Sequence, residues 1–209
     1  MELKIKCEIV SWDNVITLAR DVALQIRTAV YKPDVVIAIA RGGYVPARLI
    51  CDYLDVFNLG SFRIAHYTGA TKNESVRLSM PLTIDLSNMN VLLVDDVSDT
   101  GDTLQLANEY IRSLDPASIK IAVLHHKVQS KLFPDFYAQK VTEWCWLMYP
   151  WAIVEDVSGF IATLNAQSDP VEDIARQLLH YYNISASGQV ISDALHVLHQ
   201  RITFKPTLD

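Results

Sequence analysis

Short apolar runs alternate with amphipathic stretches along the first part of the chain. From Asp13 to Val30, Val15, Ile16, Ala19, Val22, Ala23 and Ile26 recur at helical spacing behind Ser11, a residue suited to capping, so a helix is predicted there. Val35-Val36-Ile37-Ala38-Ile39-Ala40 follows as a β-branched, uninterrupted apolar run, the pattern of a strand buried on both faces. It stops at Arg41-Gly42-Gly43. Pro46 then suits a first helical position, and Leu49, Ile50, Tyr53 and Leu54 continue a helical stripe. The unit recurs at Asn90 to Val94, which runs through Asp95-Asp96 and Ser98-Asp99-Thr100-Gly101 into a predicted helix from about Thr103 to Leu114. Ile119 to Leu124 is a third run. Strands alternating with helices predict an α/β fold, a parallel sheet flanked by helices, with ligands beyond the carboxyl ends of its strands.

The texture changes near residue 160. From about Gln167 the pattern is helical only: Asp169-Pro170-Val171-Glu172 opens a helix carrying Ile174, Ala175, Leu178 and Tyr182, and a second helix runs from about Gln189 to Gln200. This predicts a small all-helical C-terminal subdomain, 161–209, after a larger unit, 1–160.

Composition narrows the classes. In a chain of 209 residues, 50% are hydrophobic and only 20% charged, which excludes a disordered or low-complexity protein. A formal charge of -6 gives no basic footprint for nucleic acid. An anionic ligand would need a metal ion, a few placed cations or backbone N–H groups. Cys7, Cys51 and Cys145 lack C-x-x-C spacing, so buried thiols in a reducing cytoplasm are expected rather than disulfides or zinc. No apolar run reaches the ~18 residues that span a bilayer, and no signal peptide is evident.

The chemistry concentrates in Val91-Leu-Leu-Val-Asp95-Asp96-Val97-Ser98-Asp99-Thr100-Gly101-Asp102-Thr103. A buried strand delivers two carboxylates to its tip, and a turn of small residues opens a helix. Unpaired N–H groups at that helix start, with the Thr100 and Thr103 hydroxyls, suit a phosphate monoester. The carboxylates suit the hydroxyls of a sugar, directly or through Mg²⁺ held mainly by substrate oxygens and water. Phosphate beside polyol points to a ribose 5-phosphate.

This segment resembles the phosphoribosyl pyrophosphate (PRPP) motif of the type I phosphoribosyltransferases, and the layout of the chain is similar to archaeal purine phosphoribosyltransferases with a helical C-terminal extension. The resemblance implies a type I core with hood over 1–160. It implies that Asp95 and Asp96 bind the ribose hydroxyls and any Mg²⁺, that Asp99 is the catalytic carboxylate beside the purine imidazole ring, and that Ser98, Thr100, Gly101, Asp102 and Thr103 hold the 5-phosphate. Asp102 departs from the Lys or Gly often found there, so its carboxylate must point away from the phosphate. Arg41, Gly42 and Gly43 resemble the pyrophosphate loop, where a Cβ would block close approach. The stretch Tyr67 to Met80, with Lys72 and Arg77, resembles the mobile loop that closes over the reaction. Lys127 resembles the hood lysine that hydrogen-bonds the exocyclic oxygen of a 6-oxopurine, while Trp146 and Tyr149 resemble the aromatic wall against the base. His125 and His126 have no metal spacing and read as structural or rim residues.

The implied reaction is displacement of pyrophosphate from C1 of PRPP by a purine nitrogen, giving a nucleoside monophosphate, with adenine and the 6-oxopurines (hypoxanthine, guanine, xanthine) both open as the base. A homodimer is implied as the assembly. A second class is a PRPP-sensing regulator, since Ile174 to Leu179, Asn183 to Ser187 and Val190 to Leu195 read superficially like a helix-turn-helix. Against it, Gly188 to Gln200 contains no Lys or Arg, and Asp169, Glu172, Asp173 and Asp193 make the region acidic. Neither nucleic acid nor membrane is expected as a partner.

Overall fold

The computed structural model describes residues 5–68 and 74–203. In chain order the elements are β1 (Cys7–Ile9), α1 (Trp12–Thr28), β2 (Val35–Ala40), α2 (Tyr44–Leu54), β3 (Leu59–Thr68), β4 (Glu74–Met80) and β5 (Asn90–Ser98). They continue with α3 (Asp102–Arg112), β6 (Ser118–Lys127), β7 (Phe136–Val141), β8 (Trp146–Met148), α4 (Ile153–Leu164), α5 (Val171–Tyr182) and α6 (Gly188–Thr203). Two compact units result: Asp13–Glu143, and a second that joins the N-terminal segment through Trp12 to the chain from Trp144 onward.

In the first unit six strands form one sheet in the order β4-β3-β2-β5-β6-β7. β3, β2, β5, β6 and β7 run parallel, and β4 adds an antiparallel edge to β3. The apolar runs explain the arrangement. Val35, Ile37, Ile39, Val91, Leu93, Ile121 and Val123 cluster on one face with Leu104, Ala107 and Ile111 of α3. The alternate residues Val36, Ala38, Leu92, Val94, Ala122 and Leu124 face the other way and are equally buried, so both faces are covered. The α/β reading with a mostly parallel sheet therefore holds.

Several boundaries differ from the sequence pattern. α2 starts at Tyr44, which puts Pro46 inside the first turn, where a missing N–H costs no helical bond. β5 continues to Ser98, so Asp95 and Asp96 lie within the strand rather than after it. The Tyr67 to Met80 stretch falls on the β3–β4 hairpin, with Thr68 opposite Glu74. Lys72 lies outside the described residues.

The second unit has its own core, built from Cys7, Met148, Val157, Phe160, Ile161, Ile174, Leu178, Tyr182, Ile191 and Ala194 among others. β1 pairs in parallel with β8, Cys7 opposite Trp146. Buried Ile174, Leu178 and Tyr182 give α5 the i, i+4, i+8 stripe its sequence predicted. The boundary expected near residue 160 falls inside α4, because Val157, Phe160 and Ile161 belong to the same core as α5 and α6. Among the described residues no helix is long and apolar enough to cross a membrane.

β6 carries His125 and His126, both 2% exposed. His126 packs edge-on to Phe133 at 4.8 Å and against Tyr137 at 5.2 Å. Burial pushes the His125 imidazole down to about 4, opposed by a hydrogen bond with Gln139 and assisted by nearby Lys127. The folded chain thus keeps His125 neutral where an unfolded chain protonates it. Its contribution is intact above the unfolded value of 6.5 and is lost as pH falls from there toward 4. His125→Gln should remove up to about one proton from this slope, ~1.4 kcal/mol per pH unit. Urea denaturation of both proteins between these limits checks it; a stability difference that does not change with pH would refute it.

Candidate active site

The strand order reverses between β2 and β5, and the register Ala38 opposite Val94 sets their carboxyl ends side by side. Arg41-Gly42-Gly43 leaves β2 beside Asp95-Asp96 of β5. The Ala40–Arg41 peptide is cis. The two turns meet closely: a Cβ on Gly42 would lie 2.5 Å from Asp96 Oδ2, and one on Gly43 would lie 2.4 Å from the Val94 carbonyl oxygen. Gly43 has φ -68°, which any residue adopts, so space alone demands glycine there.

Asp95 is 9% exposed and accepts the Asp96 amide N–H at 3.0 Å. Burial, and next the adjacent Asp96 carboxylate, push the Asp95 carboxyl well above the usual carboxylate range. One of this pair therefore holds a proton far more readily than a solvated acid. Two adjacent hard oxygen donors with such mutual repulsion fit a shared cation or a pair of sugar hydroxyls.

Beyond β5 the chain forms a cavity of about 190 Å³ lined by Asp95, Asp96, Asp99, Thr100, Gly101 and Thr103 among others. Gly101 adopts φ 89°, a left-handed conformation open to glycine, and α3 starts directly after it. Gly101 supplies no capping side chain; the Thr100 hydroxyl accepts the Asp102 amide N–H at 3.4 Å, and a helix start of this kind suits an anion. The Thr100 hydroxyl donates to Asp102 Oδ2 at 2.9 Å, and Asp102 Oδ1 meets Lys131 Nζ at 3.0 Å. Ser98 also lines the cavity, but its side chain is fully buried with its hydroxyl 2.6 Å from Ser130 Oγ, so a phosphate contact through that hydroxyl is not what this geometry offers.

Lys127 closes β6 with its side chain 2% exposed and its ammonium 2.6 Å from Asp99 Oδ2. Gln129 Nε2 donates to Asp99 Oδ1 at 2.9 Å. The lysine expected to face the base is thus bound to the carboxylate expected to be catalytic. The strap after β6 repeats this attachment: the Lys131 amide donates to the Thr100 carbonyl at 2.9 Å, and a Cβ on Gly101 would strike Leu132 N and Ser130 Oγ at 2.7 Å. Gln129, Ser130 and Lys131 went unnoticed in the sequence. Their signal is position, since a strand pairing with β5 must end beside the same tip.

The remaining expected residues lie elsewhere. Trp146 and Tyr149 belong to the second unit. The Trp146 indole is 39% exposed and edge-on to Phe160 at 6.3 Å, whereas Tyr149 is 3% exposed and stacked on Trp151 at 4.8 Å. Tyr67 and Arg77 are on the paired strands of the hairpin. No group of three or more His, Cys, Asp or Glu able to hold a metal occurs among the described residues.

The phosphoribosyl transferase domain family matches residues 7–155, a span that ends within α4. The xanthine-guanine phosphoribosyltransferase of Chromohalobacter salexigens is 30% identical over 143 residues, covering 68% of this chain and 82% of that protein. The structure of a purine phosphoribosyltransferase from Pyrococcus horikoshii superposes with a TM-score of 0.63 at 32% identity, over 70% of this chain and 94% of that one. A hypothetical protein from Neisseria gonorrhoeae with bound ppGpp gives a TM-score of 0.64 at 28% identity, over 70% of this chain and 89% of that one.

The two turn glycines should respond differently to alanine. Gly43→Ala drives a methyl into backbone on both strands and should destabilise by about 1–3 kcal/mol, as overpacking does. Gly42→Ala meets only the movable end of Asp96 and should melt close to wild type. Thermal melts of both variants decide; equal losses would disprove the distinction.

Proposed function

Since the chain belongs to the phosphoribosyl transferase domain family, we propose that it is a purine phosphoribosyltransferase, moving the 5-phosphoribosyl group of PRPP to a purine with release of pyrophosphate. The observation that carries the reading is the convergence of two turns at one strand crossing, Gly42 against Asp96, with a helix start next along the same strand. A ligand with a phosphate at one end, hydroxyls in the middle and a second anionic group at C1 matches that order.

In this reading the N–H groups of Thr100 to Thr103 and the Thr103 hydroxyl take the 5-phosphate. Asp95 and Asp96 take the ribose hydroxyls, whose O–H groups donate to the carboxylate oxygens. The Arg41-Gly42-Gly43 turn receives the pyrophosphate. Mg²⁺, held at Asp95 and Asp96 mostly through substrate oxygens and water, would supply charge neutralisation for the leaving group. The C1–O bond to pyrophosphate breaks as the C1–N bond to the purine forms, and the imidazole proton passes to or is held by Asp99. Lys127 and Gln129 hold both Asp99 oxygens in place beside the base.

For the base we favour a 6-oxopurine over adenine. A Lys127 ammonium can only donate, so a base that draws it from Asp99 must offer a carbonyl at C6 and not an amino group. The xanthine-guanine enzymes among the relatives point the same way. Trp146 and Tyr149 remain the base-stacking residues the resemblance implies; the Trp146 indole is 39% exposed, whereas Tyr149 is buried and stacked on Trp151. The three free thiols fit the cytoplasm, and a homodimer is the assembly we expect. The DNA-reading alternative gains nothing from α6, which carries no Lys or Arg before Arg201.

Pyrophosphate release with PRPP and Mg²⁺, assayed separately with adenine, hypoxanthine, guanine and xanthine, tests the proposal: turnover with 6-oxopurines is expected, turnover with adenine alone would reverse the base assignment, and none with any base would sink the enzyme reading. Asp99→Asn should lower kcat by about a hundredfold or more with little change in PRPP affinity. It also strands a buried ammonium, so its melting temperature should fall. Adding Lys127→Met should restore stability without restoring turnover; a double variant that turns over like wild type would remove Asp99 from the mechanism.

A further inference from the structure

An acid at the first position of α3 conflicts with a phosphate site. Asp102 places a carboxylate at the helix start whose N–H groups are to receive a phosphate dianion. The geometry indicates how the conflict is met. The carboxylate gathers two donors from two segments, the Thr100 hydroxyl at 2.9 Å and the Lys131 ammonium at 3.0 Å, and these are the donor types a phosphate oxygen takes.

We propose that Lys131 is a 5-phosphate-binding residue of this enzyme, held beside the empty turn by Asp102 and transferred to the phosphate when the ester enters. The proposal rests on the phosphoribosyl reading above. Its support is a backbone that is fixed and a side chain that is not. The strap is tied to the turn by the Lys131 amide on the Thr100 carbonyl at 2.9 Å and by Ser130 Oγ on Ser98 Oγ at 2.6 Å, and Gly101 packs against its Leu132 amide. The Lys131 side chain is 70% exposed, so the ammonium can swing while its Cα stays in place. An exposed ion pair of this kind is weak, and a dianion at the same helix start outcompetes a single carboxylate for the ammonium. Lys127, the other cation of the segment, cannot serve because it is buried against Asp99.

The test is calorimetric titration of ribose 5-phosphate into the full chain, paired with steady-state kinetics in PRPP. Lys131→Met, which keeps the backbone tie to Thr100, should weaken ribose 5-phosphate binding and raise the PRPP KM by about tenfold, the loss of one charge-assisted contact. Its kcat and melting temperature should stay near wild type, and Lys131→Arg should bind almost as wild type does. Asp102→Asn should move the other way and tighten binding, since it removes the competing carboxylate. Lys120→Met breaks a comparable ion pair with Asp135, 2.7 Å long, at the opposite end of β6 and should leave binding unchanged. Binding of Lys131→Met within about twofold of wild type overturns the proposal, as does an Asp102→Asn variant weakened as much as Lys131→Met, which would make the pair a mere brace. Absence of any ribose 5-phosphate or PRPP binding by the wild-type chain overturns the phosphoribosyl reading itself, a result distinct from either.

Discussion

The ammonium of Lys127 is almost wholly removed from water, and what makes that tolerable is the Asp99 carboxylate 2.6 Å away. The requirement propagates. Asp99 must sit just past the end of β5 and Lys127 must be the last residue of β6, so the parallel register of the two strands, Ser98 opposite His126, is fixed by a charge as well as by apolar packing. The strap after Lys127 then lies along the phosphate turn, where its amides and hydroxyls meet Thr100, Ser98 and Gly101. The turn before α3 is thereby braced from outside by the segment that follows β6.

Four carboxyl groups within eight residues, Asp95, Asp96, Asp99 and Asp102, would be a poor setting for an anionic ligand if all were solvated and charged. The structure treats them in three ways. Burial and mutual repulsion drive Asp95 toward its protonated form beside Asp96. Asp99 is matched by a buried ammonium and an amide. Asp102 is matched by an exposed ammonium. Asp99 and Asp102 are thus each met by an ammonium, which offsets part of the negative charge at the tip of β5.

How much of this was legible depended on whether the signal was local. β2 lies at the bounds its apolar run predicted and β5 begins where expected, because strands covered on both faces leave no polar position to confuse the pattern. α1, α5 and α6 were legible from their stripes. β1 and β8 were not: three residues each, they exist only because Cys7–Ile9 finds Trp146–Met148 across most of the chain, and no local periodicity encodes such a pairing. α4 was hidden for a related reason. It follows directly on the aromatic run Trp144 to Trp151, whose rings drew attention to stacking, and its core residues are shared with helices later in the chain. Within the site, the motif residues were legible and their partners were not. Gln129, Ser130 and Lys131 look like an ordinary polar turn until the register of β6 on β5 places them beside Asp99 to Asp102.

Glycine marks the same division between what is local and what is not. The chain has only seven, and three of them, Gly42, Gly43 and Gly101, stand in the two turns of the site. Gly101 is needed for its left-handed backbone just before α3. Gly43 is needed for distance, since the Val94 carbonyl occupies the space a Cβ would fill, while at Gly42 that space is taken by the movable Asp96 carboxylate. That crowding is the price of bringing two strand ends together at the point where the sheet order reverses, and it has a chemical consequence. Backbone N–H groups at one turn and carboxyl oxygens at the other come within the span of a single sugar, so one small ligand can be held at its anionic ends by the backbone and at its hydroxyls by acids, with no cluster of basic side chains required.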